Sequence, residues 1–290
     1  MTASERPARP VFVNARSDRV KAIRQMVGRS PRSDFGDRLV AEGPGAVREA
    51  ADAGAIVDLW ITPEADARNP SIASTAATAG GRIHLASPEV LLAMSSAAQG
   101  LLAIVRWPLL GLGDLLRQAQ TPALLAVFEE IRDPGNAGCV VRAADAAGAG
   151  GVVFTAASVD PRSTKAVRAS AGSFFHLPVI RAGSTAEIVE ALRCAGLRIL
   201  AADAAGTVAL TALREAPGTA CAPTAWLFGN EARGLSSEAR GAGDAIVRIP
   251  IYGSAESLNL AMAATLCLYE TAVARAQHGR SQDVWDNGPR

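Results

Sequence analysis

Short apolar runs alternate with helical stretches along most of the chain, beginning at Leu39. In the N-terminal part the apolar runs are LVAEG, VDLWIT, RIHLA and LLAIVRW, and helical patterns pass through Val47 and Val90. Strands that alternate with helices predict an α/β unit of about 100 residues. The segment PLLGLGDLLRQAQTP, which begins and ends with proline, then interrupts the alternation. We therefore expect a domain boundary near residue 115.

A second alternation starts at LLAVFEE and runs almost to the C-terminus. It predicts strands at 124–128, 151–154, 178–180, 197–201, 225–228 and 245–249, and helices at 137–148, 163–171, 186–194 and from 258 onward. Such an order predicts a parallel sheet. In the last helix five apolar residues recur at helical spacing and are expected to pack against the sheet: Leu260, Ala264, Cys267, Leu268 and Ala272. The predicted domains are 1–115 and 116–278, followed by a flexible polar tail at 279–290.

Composition narrows the class of protein. Of 290 residues, 49% are hydrophobic and 20% are charged, which indicates a folded globular protein and excludes a mainly disordered one. The four cysteines are far apart in sequence, so we expect a reduced, cytoplasmic protein. The N-terminus has no apolar signal-peptide core, and no run reaches the roughly 20 apolar residues of a membrane span. We therefore expect no membrane partner.

Positive charge is concentrated near the N-terminus although the net charge of the chain is only +1. The first 40 residues contain nine Arg or Lys residues against four Asp or Glu residues. Stretches of this kind often bind the phosphates of nucleic acids. The candidates for RNA binding are Arg24, Arg29, Arg32 and Arg38, although a solvated N-terminal face explains the same pattern equally well.

Three glycine-containing polar loops follow predicted strands, at the edge where open parallel sheets bind ligands. The loops read IRDPGNAGCVVRAADAAGA, GNEARGLS and IYGSAESLNL. No G-x-G-x-x-G follows a strand and no Walker motif is present, so the sequence does not support a nicotinamide-binding or an ATP-binding site. The three histidines are scattered in sequence, which argues against a serine-histidine triad and a metal site. No metal is expected.

In this order, the loops resemble the three motifs of the SpoU/TrmH family in the SPOUT superfamily of RNA methyltransferases. DPGNAGCVVRAADAAGA resembles the first motif, LFGNEARGLS the second and IPIYGSAESLNLAMA the third. The resemblance covers roughly residues 121–276. The upstream unit, through RLVAEGP, VDLWITPE and QGLLAIV, is similar to the substrate-binding domain of this family that resembles ribosomal protein L30e.

The resemblance implies a fold and a chemistry that periodicity could not have revealed. The implied fold is a C-terminal SPOUT α/β domain with a parallel sheet and a deep trefoil knot, preceded by a smaller L30e-like α/β domain. The implied cofactor is S-adenosylmethionine. The implied assembly is a homodimer through the knotted domains, and the implied reaction is methyl transfer to a ribose 2′-oxygen of RNA.

The resemblance also implies catalytic residues. The positions that match are Asn136, Arg142, Glu231, Ser257 and Asn259. Arginine stays protonated in proteins, so we expect Arg142 to hold a substrate phosphate and stabilise a developing alkoxide rather than act as a base. Two structural interpretations stay open: an Arg142–Asp145 ion pair on the helix surface, and Ser257 as the cap of the last helix.

Two further groups of residues follow from the matched motifs. The implied cofactor-binding residues, which act mostly through their backbone, are Gly229, Asn230, Ile249, Pro250, Leu258 and Asn259. Plain loop and core packing is the alternative for Ile249 and Leu258. In the segment STKAVRASAGS, Lys165 and Arg168 are candidates for contact with RNA phosphate, and a helix-surface role for them is equally consistent with the sequence.

The L30e-like unit favours 23S ribosomal RNA over tRNA as the substrate, with housekeeping and antibiotic-resistance roles both open. A tRNA 2′-O-methyltransferase is the first alternative. A non-catalytic RNA-binding SPOUT protein is the second, and the presence of every catalytic position argues against it. A small-molecule methyltransferase is the third, and it would leave the basic N-terminal stretch without a purpose.

Overall fold

A computed structural model of the chain describes residues 10–27, 36–118, 124–215 and 222–279. The chain divides into two compact units. Unit 1 comprises residues 1–108 and 162–175, and unit 2 comprises residues 109–161 and 176–290.

Unit 1 contains four strands and several short helices. Up to residue 108 its elements are α1 (Asp18–Val27), β1 (Arg38–Glu42), α2 (Pro44–Asp52), β2 (Ile56–Ile61), α3 (Pro63–Arg68), α4 (Pro70–Thr78), β3 (Arg82–Leu85), α5 (Pro88–Met94) and β4 (Leu101–Arg106). The strands form one sheet in the order β1-β4-β2-β3. Only β2 and β3 pair in parallel; β4 is antiparallel to both of its neighbours.

Part of the basic N-terminal stretch is helical. Val20 and Ile23 of α1 are buried in the core of unit 1 beside Val40 and Trp60. An amphipathic helix buries its apolar side and leaves its charged side to solvent. α1 is therefore part of the packed unit, and its charged side is exposed to solvent, so the described part of the stretch is consistent both with RNA binding and with a solvated face.

Two helices, α3 and α4, lie between the second and third strands, where the apolar pattern predicted no helix. Both α3 and α4 begin with proline, and the Thr62 hydroxyl accepts a hydrogen bond from the amide of Ala65 at 3.2 Å at the start of α3. Their sequences, PEADAR and PSIASTAAT, are rich in alanine, serine and threonine. Hydrophobic periodicity is weak in such segments, whereas proline at the first helical position and an N-cap threonine are helix-start signals.

The elements after residue 108 carry most of unit 2. In chain order they are α6 (Leu112–Gln118), β5 (Leu124–Phe128), α7 (Pro134–Ala146), β6 (Gly151–Thr155), α8 (Thr164–Ala169), β7 (Val179–Ala182), α9 (Thr185–Cys194), β8 (Arg198–Ala202), β9 (Val208–Ala209), β10 (Thr224–Phe228), α10 (Ser237–Gly241), β11 (Ala245–Arg248) and α11 (Leu260–Gly279). Of these, α8 belongs to unit 1.

The boundary between the two compact units differs from the predicted boundary near residue 115: the first change of unit falls after residue 108. Leu115 lies within α6 and is fully buried in the core of unit 2. Residues 162–175 join unit 1, where Phe174 packs against Trp107 with ring centroids 4.3 Å apart and ring planes tilted by 41°. A contiguous reading of the sequence could not show this, because the return to unit 1 depends on tertiary packing.

Unit 2 is built on the predicted parallel sheet. Its seven strands lie in the order β7-β6-β5-β10-β8-β11-β9, and every pair is parallel. All residues of β5, β6 and β10 are buried. Strands covered on both faces need continuous apolar runs, which explains LLAVF and GVVFT.

The strand order indicates which edge of the sheet would bind a ligand. From β5 the chain builds outward through β6 to β7, and β8 then starts on the other side of β5 with β10 between them. Such a reversal creates a crevice beyond the carboxyl ends of the strands. The loops that follow β5 and β10 therefore leave the sheet side by side.

The last helix buries three of the five apolar residues that its spacing predicted to pack, and Leu260 and Ala272 are half-buried. Ala264, Cys267 and Leu268 are completely buried, and the indole N–H of Trp226 on β10 donates to the Thr271 hydroxyl at 2.9 Å. No helix among the described residues is long and apolar enough to cross a membrane. The trefoil knot, the L30e-like character of unit 1 and the tail at 279–290 stay predictions; of that tail, only Gly279 lies within the described residues.

Candidate active site

The N-terminus of α7 carries the first group of site residues. Asp133 is its N-cap, and one Asp133 carboxylate oxygen accepts the amide hydrogen of Asn136 at 2.8 Å. Pro134 occupies the first helical position. A capping aspartate followed by proline is a strong local signal for a helix start, so this local geometry was readable from DPGN. It fixes Asn136 in the first turn, at the sheet edge.

Glu231, from the loop after β10, reaches the same helix end. Its carboxylate accepts hydrogen bonds from the backbone amides of Arg132 and Asp133 and from the side-chain amide of Asn136, each at 3.3 Å. A carboxylate is favourable at a helix N-terminus, where amides are unpaired and the helix dipole is positive. Glu231 therefore ties the second motif to the first.

Asn259 joins this group from the third motif. Its side-chain amide donates to Oδ1 of Asn136 at 3.2 Å, and its own Oδ1 accepts from the amide of Ala261 at 2.8 Å. Asn259 thus caps α11, which begins one residue later. The suggestion that Ser257 caps this helix is wrong, because Ser257 lies exposed in the preceding loop and Asn259 occupies the capping position.

Arg142 lies further along α7 with its side chain exposed. Its guanidinium has no hydrogen-bond or ion-pair partner among the described residues. The proposed surface pair with Asp145 is absent, because the Asp145 carboxylate bonds to Nδ1 of His176 at 2.8 Å. This leaves the charge of Arg142 available to a ligand.

A tight loop shapes the second motif. The backbones of Asn230 and Gly234 bond to each other twice at 2.9 Å, and the Asn230 side chain donates to the carbonyl of Glu130 at 2.8 Å. Gly229 is buried against this loop, where an added Cβ would lie 2.1 Å from the carbonyl carbon of Gly234 and from the amide nitrogen of Leu235. The close backbone approach therefore requires glycine at position 229.

Two acidic residues that the sequence analysis did not select follow β5 directly. Glu129 is buried; one carboxylate oxygen accepts from the hydroxyls of Thr185 and Ser236, and the other accepts from the amide of Ser236, all at 2.8 Å. Glu130 pairs with Arg132 at 3.1 Å and with Arg233. Both glutamates line a cavity of about 150 Å³ that Asn230 also borders. Two consecutive acidic residues directly after a predicted buried strand were the sequence signal that could have identified them.

The backbone of the third loop is exposed to solvent and largely without hydrogen-bond partners among the described residues. Residues 251–258 are all exposed, and none of their amides donates a backbone hydrogen bond to another described residue. Ile249 and Pro250 are half-buried at the start of the loop, and Leu258 is exposed near its end. Unpaired backbone groups beside half-buried aliphatic side chains suit a ligand that is held mainly through the main chain.

The predicted RNA-binding residues differ in their surroundings. Arg24, Arg38 and Lys165 are exposed, whereas Arg168 forms an ion pair with the buried Glu42. Arg168 therefore has a structural partner that the sequence did not indicate. Arg29 and Arg32 lie outside the described residues. Among the residues that are described, no three His, Cys, Asp or Glu side chains are grouped as a metal site would require.

Comparison with known proteins agrees with this geometry. The model of the SpoU rRNA methylase family matches residues 123–269. A 23S rRNA (uridine(2479)-2′-O)-methyltransferase of Streptomyces viridochromogenes is 38% identical over 202 residues, which are 67% of this chain and 68% of the relative. An uncharacterized tRNA/rRNA methyltransferase of Mycolicibacterium gilvum is 34% identical over 94% of this chain and 86% of its own length.

Solved structures give the same result for the fold. The S-adenosylmethionine-bound rRNA methyltransferase of Sinorhizobium meliloti has a TM-score of 0.77 at 30% identity and covers 90% of this chain and 97% of its own. The SpoU methyltransferase AviRb of Streptomyces viridochromogenes, in complex with S-adenosylmethionine, also has a TM-score of 0.77, at 29% identity and with 90% and 100% coverage. The parallel sheet and the three converging loops are thus those of a methyltransferase. The chain belongs to the SpoU rRNA methylase family.

Proposed function

We propose that this protein transfers a methyl group from S-adenosylmethionine to a ribose 2′-hydroxyl of 23S ribosomal RNA. The observation that carries the proposal is the hydrogen-bonded chain from Glu231 through Asn136 to Asn259, which joins all three motifs at one helix end. The 23S substrate is favoured because relatives named for this activity cover two thirds or more of the chain.

The third loop and the second motif fit the cofactor. The exposed backbone of residues 251–258 offers unpaired amides and carbonyls to an adenosine, and Gly229 and Asn230 hold the facing loop in shape. Ile249, Pro250, Leu258 and Asn259 would border the same ligand. When bound, S-adenosylmethionine supplies an electrophilic methyl group on a sulfonium.

Polar side chains on α7 and beside its N-terminus would position the substrate and stabilise its developing charge. A ribose hydroxyl is a poor nucleophile at neutral pH, so it must be positioned in line with the methyl group, and its proton must pass to a water molecule as the carbon–oxygen bond forms and the carbon–sulfur bond breaks. Asn136 and Asn259 would orient the hydroxyl or its phosphate by hydrogen bonds, with Ser257 nearby in sequence. Arg142 would bind the adjacent phosphate and stabilise the developing alkoxide, because its guanidinium is cationic and unpaired among the described residues.

A homodimer through unit 2 is part of the proposal. Met262, Leu266 and Tyr269 are exposed at helical spacing on α11 and form an uncovered apolar stripe. Such stripes on a soluble protein mark interaction sites, and closed homodimers are the commonest assembly. Leu266→Arg is expected to convert a dimer into a monomer in light-scattering measurements, whereas Gln277→Arg, at an exposed position of the same helix, is expected to leave it unchanged. We further propose that the protein acts in the cytoplasm, where ribosomal RNA is found.

Labelled S-adenosylmethionine distinguishes the candidate functions. The protein would be incubated with unmodified 23S RNA, 16S RNA and tRNA, and label in each RNA would be counted. Label in 23S RNA, mapped to a 2′-O-methylated nucleotide by resistance to alkaline cleavage, is expected. Label in tRNA alone would favour the tRNA alternative. Binding of RNA without any label would favour the non-catalytic alternative, and salt-insensitive activity on a small substrate would favour a small-molecule enzyme.

A further inference from the structure

Unit 1 contains a cavity of about 430 Å³ between α1 and the sheet. The face of α1 with Ala22, Ile23 and Met26 forms one wall, and Ile104 of β4 forms part of the other. Ile23 and Ile104 are buried, Met26 is half-buried and Ala22 is exposed. The cavity therefore has an apolar floor, a mouth open to solvent, and a volume typical of small-ligand sites.

A buried carboxylate organises the charged side of this cavity. The Asp58 side chain is 5% exposed and accepts hydrogen bonds from Nε and Nη2 of Arg82 at 2.9 and 2.7 Å, and from Nη2 of Arg19 at 3.0 Å. His84 Nε2 lies 2.7 Å from the same carboxylate. Arg19 also lies over the ring of Trp60, 4.9 Å from its centroid. These contacts hold two guanidiniums in fixed positions while leaving some of their N–H groups unused.

A third arginine gives the cavity an excess of positive charge. Arg38, at the start of β1, lines the cavity and is exposed. Its side chain has no partner among the described residues. With Arg19 and Arg82 it outnumbers the single lining carboxylate of Asp58. The rim can therefore attract an anion even though Asp58 offsets part of the charge.

We propose that this cavity binds one unpaired nucleotide of the RNA substrate. The phosphate would lie on Arg19, Arg38 and Arg82, and the base would lie on the apolar floor. An inorganic anion would contact only the arginines at the rim and would leave the apolar floor empty, whereas a nucleotide would use both. Bases inside a duplex are stacked and paired, whereas bases in single-stranded loops can turn outward into such a pocket. This inference rests on the proposed function, since it takes RNA to be the substrate.

Binding measurements test the cavity without any need for turnover. Fluorescence anisotropy would compare a labelled single-stranded RNA with a blunt duplex of the same length. Arg38→Ala is expected to weaken binding of the single strand about tenfold and to reduce the slope of log affinity against log salt by about 0.7, because one phosphate contact is lost. Ala22→Phe fills the mouth without changing charge, so it is expected to weaken binding about tenfold with an unchanged salt slope.

Arg68→Ala is the matched control, because Arg68 is an exposed arginine at the end of α3 that does not line the cavity. It removes the same charge and is expected to change affinity less than twofold. Thermal melts of all three variants would show that unit 1 stays folded. Wild-type affinity in both Arg38→Ala and Ala22→Phe would overturn the inference, and so would equal losses in Arg68→Ala or equal losses for duplex RNA. Absence of methyl transfer by the wild type would contradict the proposed function. The binding result could still be interpreted, because it does not depend on turnover.

Discussion

The side-chain amide of Asn136 donates to Oε1 of Glu231 at 3.3 Å and so joins residues 95 positions apart in the chain. Neither residue is held by this contact alone. Glu231 is also anchored by the amides in front of α7, and Asn136 by Asn259. The three motifs therefore form one hydrogen-bonded unit at the sheet edge.

Glu231→Gln should break this unit while keeping the size of the side chain. The loss of negative charge at the helix N-terminus weakens every bond to residue 231, so the Asn136 side chain keeps its contact with Asn259 but loses part of its support and can shift. A displacement of about 1 Å in a reacting group can lower turnover about 100-fold, so kcat is expected to fall by about that factor. Glu238→Gln, at an exposed position of α10, is the control for charge. Unchanged kcat in Glu231→Gln would contradict the positioning role.

Arg142→Ala should remove an electrostatic contact that forms with the substrate. The expected result is a decrease of about 100- to 1000-fold in kcat, since the guanidinium stabilises charge that develops in the transition state. Affinity for S-adenosylmethionine, measured by calorimetry, is expected to stay the same. Arg117→Ala on α6 removes another exposed arginine, one that pairs with Asp114 of its own helix, and should keep full activity. Retained turnover in Arg142→Ala would rule out the assigned role.

Gly229→Ala should destabilise unit 2 because the added Cβ meets the backbone of Gly234 and Leu235 at 2.1 Å. Backbone cannot give way as a flexible side chain can, so a loss of about 1–3 kcal/mol in unfolding free energy is expected. Gly241→Ala is the matched control, because an added Cβ at that glycine meets nothing within 4 Å. Denaturant titration measures both, and equal stability of the two variants would refute the packing argument.

Asp58 should make the stability of unit 1 depend on pH in the acid range. Burial alone raises the pKa of this carboxyl, but hydrogen bonds from Arg82 and His84 and the positive charges of Arg82 and Arg19 outweigh burial and lower the pKa to about 2. A pKa that is lower in the folded state adds stability at pH values above the unfolded pKa. This stability is lost as the pH falls from about 4 to about 2.

The expected loss over that range is about 1–2 kcal/mol, because solvent screens the exposed arginine partners. Acid titration of unfolding free energy would measure it. Asp58→Asn should remove this step from the profile, whereas Asp52→Asn, at an exposed position of α2, should keep it. A profile of Asp58→Asn that matches the wild type would show that the carboxylate is not responsible.

The sequence by itself determined most elements of unit 2 and the chemistry of its loops, but it did not predict the helices α6 and α10 or the two-residue strand β9. Buried parallel strands require continuous apolar runs, and Asp133-Pro134 signals a helix start through local interactions, so both were readable from short stretches. The resemblance of the three motifs identified the family, which the comparisons confirmed. Apolar periodicity could not supply the small-residue helices α3 and α4, although their prolines and the N-cap Thr62 signal where helices begin.

Tertiary structure decided which residues meet. Asn259 rather than Ser257 caps α11, Asp145 binds His176 rather than Arg142, and Arg168 pairs with Glu42. The return of residues 162–175 to unit 1 and the arginines gathered on Asp58 also emerged only from the fold. Each of these contacts involves a choice between partners that are equally suitable in sequence, and the choice depends on distances that strand order and helix packing set.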